Sequence, residues 1–156
     1  MKFSTRQDIE APIEFVFDRT ADFDALERQA LRRGIEVDRA DNLNCNGCGM
    51  QWNVRFPFRG KSRKAKGELT EYDVPNSYLI QSVSGGVEAD FDVEFLPLSR
   101  GRTRVIVGLQ LSPKSLSAKL LVQSLKLVKS SLDERFANRI KQFASDIQNR
   151  YSTHIS

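Results

Sequence analysis

The carboxyl-terminal third of the chain restricts the possible folds most, because residues 113–151 have the pattern of one long amphipathic helix. At about 100° per residue, the apolar side chains of this segment fall on one stripe of such a helix. The stripe consists of Ala118, Leu121, Val122, Leu125, Leu132, Phe136, Ile140, Phe143 and Ile147. A helix of roughly 38 residues spans on the order of 55 Å, so it needs a broad apolar surface to cover its stripe.

Segments before this helix supply such a surface, because apolar and polar residues alternate along them as they do in half-buried strands. The clearest strand covers residues 87–95, where apolar side chains alternate with carboxylates. Further strands are predicted at residues 3–9, 35–40, 50–58, 64–72, 77–84 and 103–111. Turns such as Gly85-Gly86 join neighbouring strands as hairpins, so the sheet is predicted to be antiparallel with one polar face.

Two short helices are predicted over residues 12–33, after the first strand. Pro12 suits a first helical turn, Asp22 can cap the second helix, and Gly34 stands where a glycine often ends one. Ser112 is predicted to cap the long helix, with Pro113 at its first position. The predicted fold class is therefore α+β, with six or seven antiparallel strands covered by one long helix. Residues 1–151 should form a single domain, followed by a short tail at residues 152–156.

Composition and charge argue against several classes of function. The 156 residues fit one domain, and a net charge of +4 is a mild excess that favours a solvated surface over nucleic-acid binding. The amino terminus lacks the apolar segment of a signal peptide, and no apolar run is long enough to span a membrane, so we expect a cytoplasmic protein. The single histidine, His154, lies in the tail, which argues against His-based catalytic sets. No cofactor and no metal are expected.

Three stretches of the chain match a known pattern in order and spacing. They are residues 9–18 (IEAPIEFVFD) followed by 21–23 (ADF), residues 101–107 (GRTRVIV) leading into 111–113 (LSP), and the terminal helix with residues 134–136 (ERF). With these stretches the chain resembles the START-like superfamily, specifically its polyketide cyclase/dehydrase and lipid-transport branch (SRPBCC). The resemblance implies a helix-grip fold, in which a curved antiparallel sheet wraps around the C-terminal helix and encloses a cavity. Members bind lipids, sterols, polyketides or other apolar molecules, and some are cyclases or aromatases.

A ligand cavity is accordingly predicted between the sheet and the long helix. Ala65 and Gly67 should face the same space and are too small to fill it, whereas composition alone favours a solidly packed core. The predicted ligand-binding residues are Trp52, Val54, Phe56, Gly67, Leu69, Phe91, Val93, Phe95, Leu109, Leu125, Lys129, Leu132 and Phe136. The leading hypothesis is the binding or transport of a small hydrophobic ligand, such as a lipid or a polyketide-like molecule. The alternative is a cyclase or dehydratase acting on such a ligand.

Lys129 lies on the apolar stripe, between Leu125 and Leu132. It either snorkels to the helix edge or reaches the cavity, where its ammonium could hold a carboxylate or polarise a carbonyl. The second orientation would suit an enzyme, but the sequence identifies no catalytic residue. The pattern also leaves open which of Gln81 and Ser82 faces inward, and likewise for the neighbours Glu71 and Tyr72.

Two further motifs are not expected to form a metal site or a nucleic-acid site. Cys45 and Cys48 form a CxxC motif in a loop between strands, where we expect an incidental pair or a labile disulfide rather than a metal site. The five basic residues within 59–66 are predicted to be solvated and paired across strands with outer-face carboxylates such as Glu88. This interpretation is favoured over nucleic-acid binding because no reading helix or exposed aromatic set accompanies the charges.

The start of the long helix carries a second apolar set, opposite the main stripe. It consists of Leu116, Leu120 and Leu127, accompanied by Lys114, Lys119, Lys126 and Lys129. No acidic residue appears in this helix before Asp133. Three interpretations remain open: a curved helix buried on both sides, a homodimer interface, and a peripheral membrane contact.

Overall fold

The computed structural model describes residues 1–155, which form seven strands and four helices. The strands are β1 (Lys2–Ile9), β2 (Glu36–Arg39), β3 (Gln51–Phe58), β4 (Lys61–Asp73), β5 (Ser77–Ser84), β6 (Val87–Ser99) and β7 (Arg102–Pro113). The helices are α1 (Ile13–Thr20), α2 (Phe23–Arg32), α3 (Leu116–Lys126) and α4 (Lys129–Ile155). The strands make one antiparallel sheet in the order β1-β7-β6-β5-β4-β3-β2. The predicted α+β helix-grip fold is confirmed.

The register of the sheet places the predicted apolar rows on one face, which we call the inner face. Val93 lies opposite Tyr78 on one side and Val107 on the other. Ser82 lies opposite both Gly67 and Ala89, so Ser82 faces inward and Gln81 outward.

A bulge in β4 determines which of Glu71 and Tyr72 faces inward. It lies between Leu69 and Glu71 and brings Tyr72 opposite Tyr78, on the inner face. The ring of Tyr72 packs against Phe17 of α1, with the ring centroids 5.6 Å apart. Glu71 is exposed on the outer face.

Two of the three helix signals between β1 and β2 are confirmed, whereas Pro12 is the extended N-cap of α1 and not part of its first turn. The side chain of Asp22 accepts a hydrogen bond from the backbone N–H of Ala25 at 3.1 Å, which caps α2. Gly34 follows α2 with φ +81°, and its N–H donates to the carbonyl of Leu31, as in a Schellman motif. These local signals fix where α2 begins and ends, and α2 later forms one wall of the functional site.

The single long helix predicted over residues 113–151 is wrong, because the segment forms two helices with Leu127 and Val128 between them. Strand β7 continues to Pro113, which lies opposite Val87, so Ser112 belongs to a strand. Ser115 caps α3 instead, accepting from the N–H of Ala118 at 3.1 Å. Because of the break the two helices cover different strands: α3 packs mainly on β7, and α4 mainly on β1. Helix α4 extends to Ile155, so the predicted tail is helical up to that residue, and Ser156 lies outside the described residues.

Aromatic side chains fix α1 and α2 to one end of the sheet. The ring of Phe17 lies 5.1 Å from that of Phe95 and 6.3 Å from that of Tyr78. Phe23 makes an edge contact with Trp52, and the two centroids are 5.5 Å apart. Each such pair contributes about 0.5–1.5 kcal/mol beyond the area that it buries. This part of the inner face is therefore solidly packed.

Asp41 organises the loop that joins β2 to β3. Its carboxylate accepts hydrogen bonds from the guanidinium of Arg39 at 2.7 and 2.9 Å. It also accepts from the backbone N–H groups of Leu43 at 2.9 Å and of Gln51 at 2.8 Å. These bonds, that from Arg39 above all, hold the pKa of Asp41 well below its ordinary value of 3.8.

Replacing Asp41 with asparagine should destabilise the protein at neutral pH. A carboxyl whose pKa is lower in the folded than in the unfolded protein stabilises the folded state above the unfolded pKa, and this contribution is lost as the pH falls. We therefore expect Asp41→Asn to lower the urea midpoint at pH 7, and the difference from the wild type to shrink below about pH 4. Urea unfolding followed by circular dichroism measures both.

Asp38→Asn is the matched control, since Asp38 is exposed on neighbouring β2. It should leave the midpoint nearly unchanged at either pH. A difference between wild type and Asp41→Asn that stays constant from neutral to acid pH would contradict the proposed role of the charge.

Candidate functional site

Two open cavities lie on the inner face of the sheet, where a single cavity was predicted. The first, which we call the α4 cavity, has a volume of about 410 Å³ and lies between α4, α2 and strands β1 and β5 to β7. Phe91 and Val107 of the sheet face Ile140 and Phe143 of α4 across it, and Ala30 of α2 closes one side. This volume falls within the usual 300–1,000 Å³ of small-molecule sites.

Few polar groups interrupt the apolar lining of the α4 cavity. Half-buried Gln7 projects from β1 beside Val105. The hydroxyl of Tyr78 donates to the backbone carbonyl of Thr20 at 3.1 Å, and burial raises the pKa of this phenol. The Oγ1 atom of Thr20 is itself buried and has no hydrogen-bond partner within residues 1–155. Three exposed side chains form the rim of the cavity: Gln29, Arg33 and Arg139.

The second cavity, which we call the α3 cavity, has a volume of about 620 Å³ and lies between α3 and the other end of the sheet. Its apolar walls include Phe56, Phe58, Leu111, Leu121 and Leu125. Its polar lining residues are Ser62, Arg63, Lys64, Ser82 and Ser84. The α3 cavity therefore combines an apolar interior with basic and hydroxyl groups, which distinguishes it from the α4 cavity.

A packed region separates the two cavities. Along β7, Val107 lines the α4 cavity and Leu111 lines the α3 cavity, whereas Leu109 lines neither. Leu109 lies opposite Phe3, whose ring packs against Phe136 of α4 with the centroids 5.9 Å apart. Within residues 1–155 the two linings have no residue in common.

The predicted ligand-binding residues are distributed over several places. Phe91 and Val93 line the α4 cavity, and Phe56 and Leu125 line the α3 cavity. Three of the others, Trp52, Leu69 and Phe95, are buried in the core. Gly67 packs near Ile80 and Ser82, and Val54 borders a separate pocket lined mainly by charged residues. The remaining three, Leu109, Leu132 and Phe136, are partly buried outside both linings. Of the two small residues expected to leave space, Ala65 lines the α3 cavity and Gly67 lines neither cavity.

Lys129 lies at the helix edge rather than in either cavity. Its ammonium donates to both carboxylate oxygens of Asp133 at 2.9 Å. The same nitrogen lies 5.2 Å from the ring centroid of Phe3, a cation–π contact. The structure thus places Lys129 in the snorkelling orientation, without contact to a cavity.

Several lining residues of the α4 cavity were missed by the sequence analysis. Ile140 and Phe143 stand on the predicted apolar stripe, so continuing the stripe toward the carboxyl terminus would have found them. Tyr78 follows from the alternation of β5 in the same way. Ala30 and Leu26 come from α2, and no local pattern indicates which part of the sheet that helix approaches.

The CxxC loop contains two exposed free thiols. The sulfur of Cys48 lies 3.6 Å from the carbonyl oxygen of Thr70, and Cys45 is not bonded to it. In the part of the chain that the structure describes, no group of three or more His, Cys, Asp or Glu side chains could hold a metal ion.

The predicted ion pairing of the basic run is wrong. Glu88 pairs with Lys114, at a distance of 3.9 Å, instead of with the basic run. None of Arg59, Lys61, Arg63, Lys64 and Lys66 forms an ion pair within residues 1–155. Strand alternation separates the run: Arg63 shares the inner face with Phe56, its partner on β3, and Lys64 and Lys66 face outward.

The outer side of α3 is exposed, so burial of this helix on both sides is wrong. Leu116, Leu120 and Leu127 are 76%, 61% and 87% exposed. Ala118 and Val122 on the opposite side of α3 are buried. None of the helices within residues 1–155 combines the length and the apolar character needed to cross a bilayer.

Solved structures with the same architecture place this fold among known ones. Protein TTHA0849 from Thermus thermophilus superposes with a TM-score of 0.68 and 20% identity, over 96% of this chain and 99% of that one. The Zhui aromatase/cyclase from Streptomyces sp. R1128 gives a TM-score of 0.67 at 10% identity, over 97% and 95% of the two chains. A START superfamily protein from Mycobacterium smegmatis gives 0.57 at 15% identity, over 86% and 95%.

No protein-family model and no curated protein matches the chain. At these identities the similarity concerns the fold alone. It confirms, at that level, the START-like helix-grip fold that the resemblance of the sequence implied.

Proposed function

We propose that this protein binds and carries a small apolar molecule in the α4 cavity. The observation that carries the proposal is the cavity itself, about 410 Å³ of open space with walls such as Phe91, Val107 and Phe143. Space of this size between apolar walls costs stability when it is empty, and a ligand that fills it recovers the lost contacts. The polar side chains at the rim favour a ligand whose polar end, if it has one, points toward solvent.

The lining favours carriage over catalysis. A cyclase or dehydratase needs side chains that take up and return protons. Among the described lining residues of the α4 cavity there is no Asp, Glu, His, Lys or Cys. Tyr78 is the one phenol of this lining, and its hydroxyl already donates to Thr20 while its raised pKa keeps it protonated. The cavity is therefore suited to holding a molecule unchanged.

Filling the α4 cavity should abolish ligand retention. Ala30→Phe adds a ring from the wall formed by α2, and we expect protein purified from its host to lose the lipophile that the wild type retains in native mass spectrometry. Binding of the uncharged dye Nile red should also weaken by about tenfold or more, since a blocked site forfeits most of the buried apolar area.

Leu31→Phe is the matched control, because Leu31 is adjacent in the same helix but 55% exposed. It should retain the lipophile. The proposal fails if the wild type carries no lipophile and does not bind Nile red, or if Ala30→Phe binds as the wild type does.

The outer side of α3 supports a second role, peripheral contact with an anionic membrane surface. Leu116 and Leu120 lie on one stripe of this helix, Leu127 follows its last turn, and all three are exposed, with Lys119 and Lys126 beside them. Helix α3 contains no acidic residue. Apolar groups flanked by lysines suit the interface of a membrane with anionic lipids. A symmetric dimer through the same stripe would instead bring lysines close to lysines, which disfavours that alternative.

The double variant Leu116→Gln/Leu120→Gln should weaken binding to vesicles of phosphatidylcholine and phosphatidylserine by about tenfold or more, since each buried leucine contributes about 1.5–3 kcal/mol. Co-sedimentation measures this, and binding of the wild type should fall as salt is added. Leu31→Gln, an exposed leucine on α2, should bind as the wild type does. The membrane role is contradicted if the wild type does not bind vesicles. A wild-type dimer in light scattering that the double variant does not form would then support the dimer interface instead.

A further inference from the structure

We infer that the α3 cavity is a second ligand site, which takes an amphiphile with an anionic head, a carboxylate or a phosphate. Its walls accept an apolar chain, and its volume of about 620 Å³ lies within the range of ligand sites. Arg63 in its lining and Arg59 at an adjoining opening form no ion pair with a protein carboxylate within residues 1–155. This site does not depend on the proposed function of the α4 cavity, with which it has no lining residue in common.

Arg63 is the central residue of this inference. Strand β4 aims it inward, opposite Phe56, and its side chain is half-buried. Its Nε donates to the carbonyl of Phe58 at 3.4 Å, a long bond that leaves the two terminal amino groups without a protein partner in the described chain. A half-buried guanidinium is best stabilised by a bidentate anion, and carboxylates and phosphates have the matching geometry.

Arg59 adds a second positive charge at the same place. Its guanidinium lies 5.3 Å from the ring centroid of Phe58, and that of Arg63 lies 5.7 Å from the same centroid. Both residues border an adjoining opening of about 360 Å³ beside α3, and neither this opening nor the α3 cavity has an acidic residue in its described lining. Two like charges held beside one ring without a counter-charge favour binding of an anion from solution.

The backbone at Arg59 supports the same conclusion. Arg59 has φ +50° and Gly60 has φ +75°, in a hairpin turn where Asn-Gly is the preferred pair. An arginine in this left-handed conformation is unfavourable, and such strain is concentrated at functional sites. The unfavourable backbone conformation of the turn is therefore retained where Arg59 contacts the ring of Phe58.

By the alternation of β4, Ser62 and Lys64 face outward, and the other two serines of the α3 cavity donate to backbone carbonyls, so the arginines are the available donors. The hydroxyl of Ser84 donates to the carbonyl of Lys64 at 2.7 Å, and that of Ser82 donates to the carbonyl of Ala89 at 3.3 Å. Neither hydroxyl hydrogen is free for an anion. The head group is therefore placed at Arg63 and Arg59, with the chain extending between the sheet and the inner side of α3. Because the interior is apolar, the site should prefer an amphiphile to a free anion.

Titration calorimetry with four probes tests the ligand class on the unmodified protein. The probes are decanoate, decyl phosphate, decanol and inorganic phosphate. We expect decanoate and decyl phosphate to bind at least about tenfold more tightly than decanol, the gain of a charge-assisted hydrogen bond, and inorganic phosphate to bind far more weakly. Because decanol also suits the α4 cavity, the series is repeated on Ala30→Phe, in which that cavity is filled. Equal affinity for decanol and decanoate in that variant would overturn the role of the arginines, and inorganic phosphate binding as tightly as decyl phosphate would reduce the site to a simple anion site.

Two pairs of variants locate the site. Arg63→Gln should weaken decanoate binding about tenfold and leave decanol unchanged, whereas Lys66→Gln removes the same charge from the outer face of β4 and should change neither. Ala89→Phe, which fills the α3 cavity, should abolish decanoate binding, and Ala30→Phe, which fills the α4 cavity, should not. The reverse result for the two fillings, or no effect of Arg63→Gln, overturns the inference. If Arg63→Gln or Ala89→Phe does not fold, as judged by circular dichroism, the probe series decides alone, and failure of decanoate and decyl phosphate to bind the wild type overturns the inference.

Discussion

The inner face of the sheet is wider than the helices that cover it, and this mismatch determines most of the structure. Seven strands about 4.8 Å apart span roughly 30 Å, whereas a helix with its side chains is about 10–12 Å across. Helix α4 packs mainly on β1 and α3 on β7, so neither reaches across the face. Apolar surface that a helix cannot reach must be packed by other side chains, left as open space or covered by a ligand.

In this structure, side chains pack part of the inner face, and another part of it borders open space. At one end, the rings of Phe17, Phe23 and Trp52 fill the space between α1, α2 and the sheet. Elsewhere the inner face carries small side chains such as Ala65 and Ala89, which leave the sheet uncovered beneath α3. Because native interiors seldom leave space of this size empty, the difference in residue size along one sheet supports the third solution, a bound guest, at the two cavities.

Local patterns predicted most of the fold because they depend on neighbouring residues alone. Alternation located β5 within residues 77–84, and the caps at Asp22 and Gly34 fixed the limits of α2. The break before Lys129 escaped prediction because the apolar stripe continues through it, and the packing of α3 on β7 and of α4 on β1 is not visible in the local pattern. The candidate site was predicted only in part. Phe91 and Val93 follow from the alternation of β6, but the wall from α2 depends on tertiary packing, which no local pattern indicates.

The two cavities differ in the charge available to a ligand, and α3 links one of them to the outer surface. On one side, Leu121 and Leu125 line the α3 cavity, and on the other Leu116 and Leu120 face outward. Under the proposed membrane contact, the helix that meets the lipid surface is therefore also a wall of the cavity beside Arg63. An anionic amphiphile bound in this cavity would have its chain among leucines and its head near arginines, so binding would neither leave the chain in water nor bury an uncompensated charge.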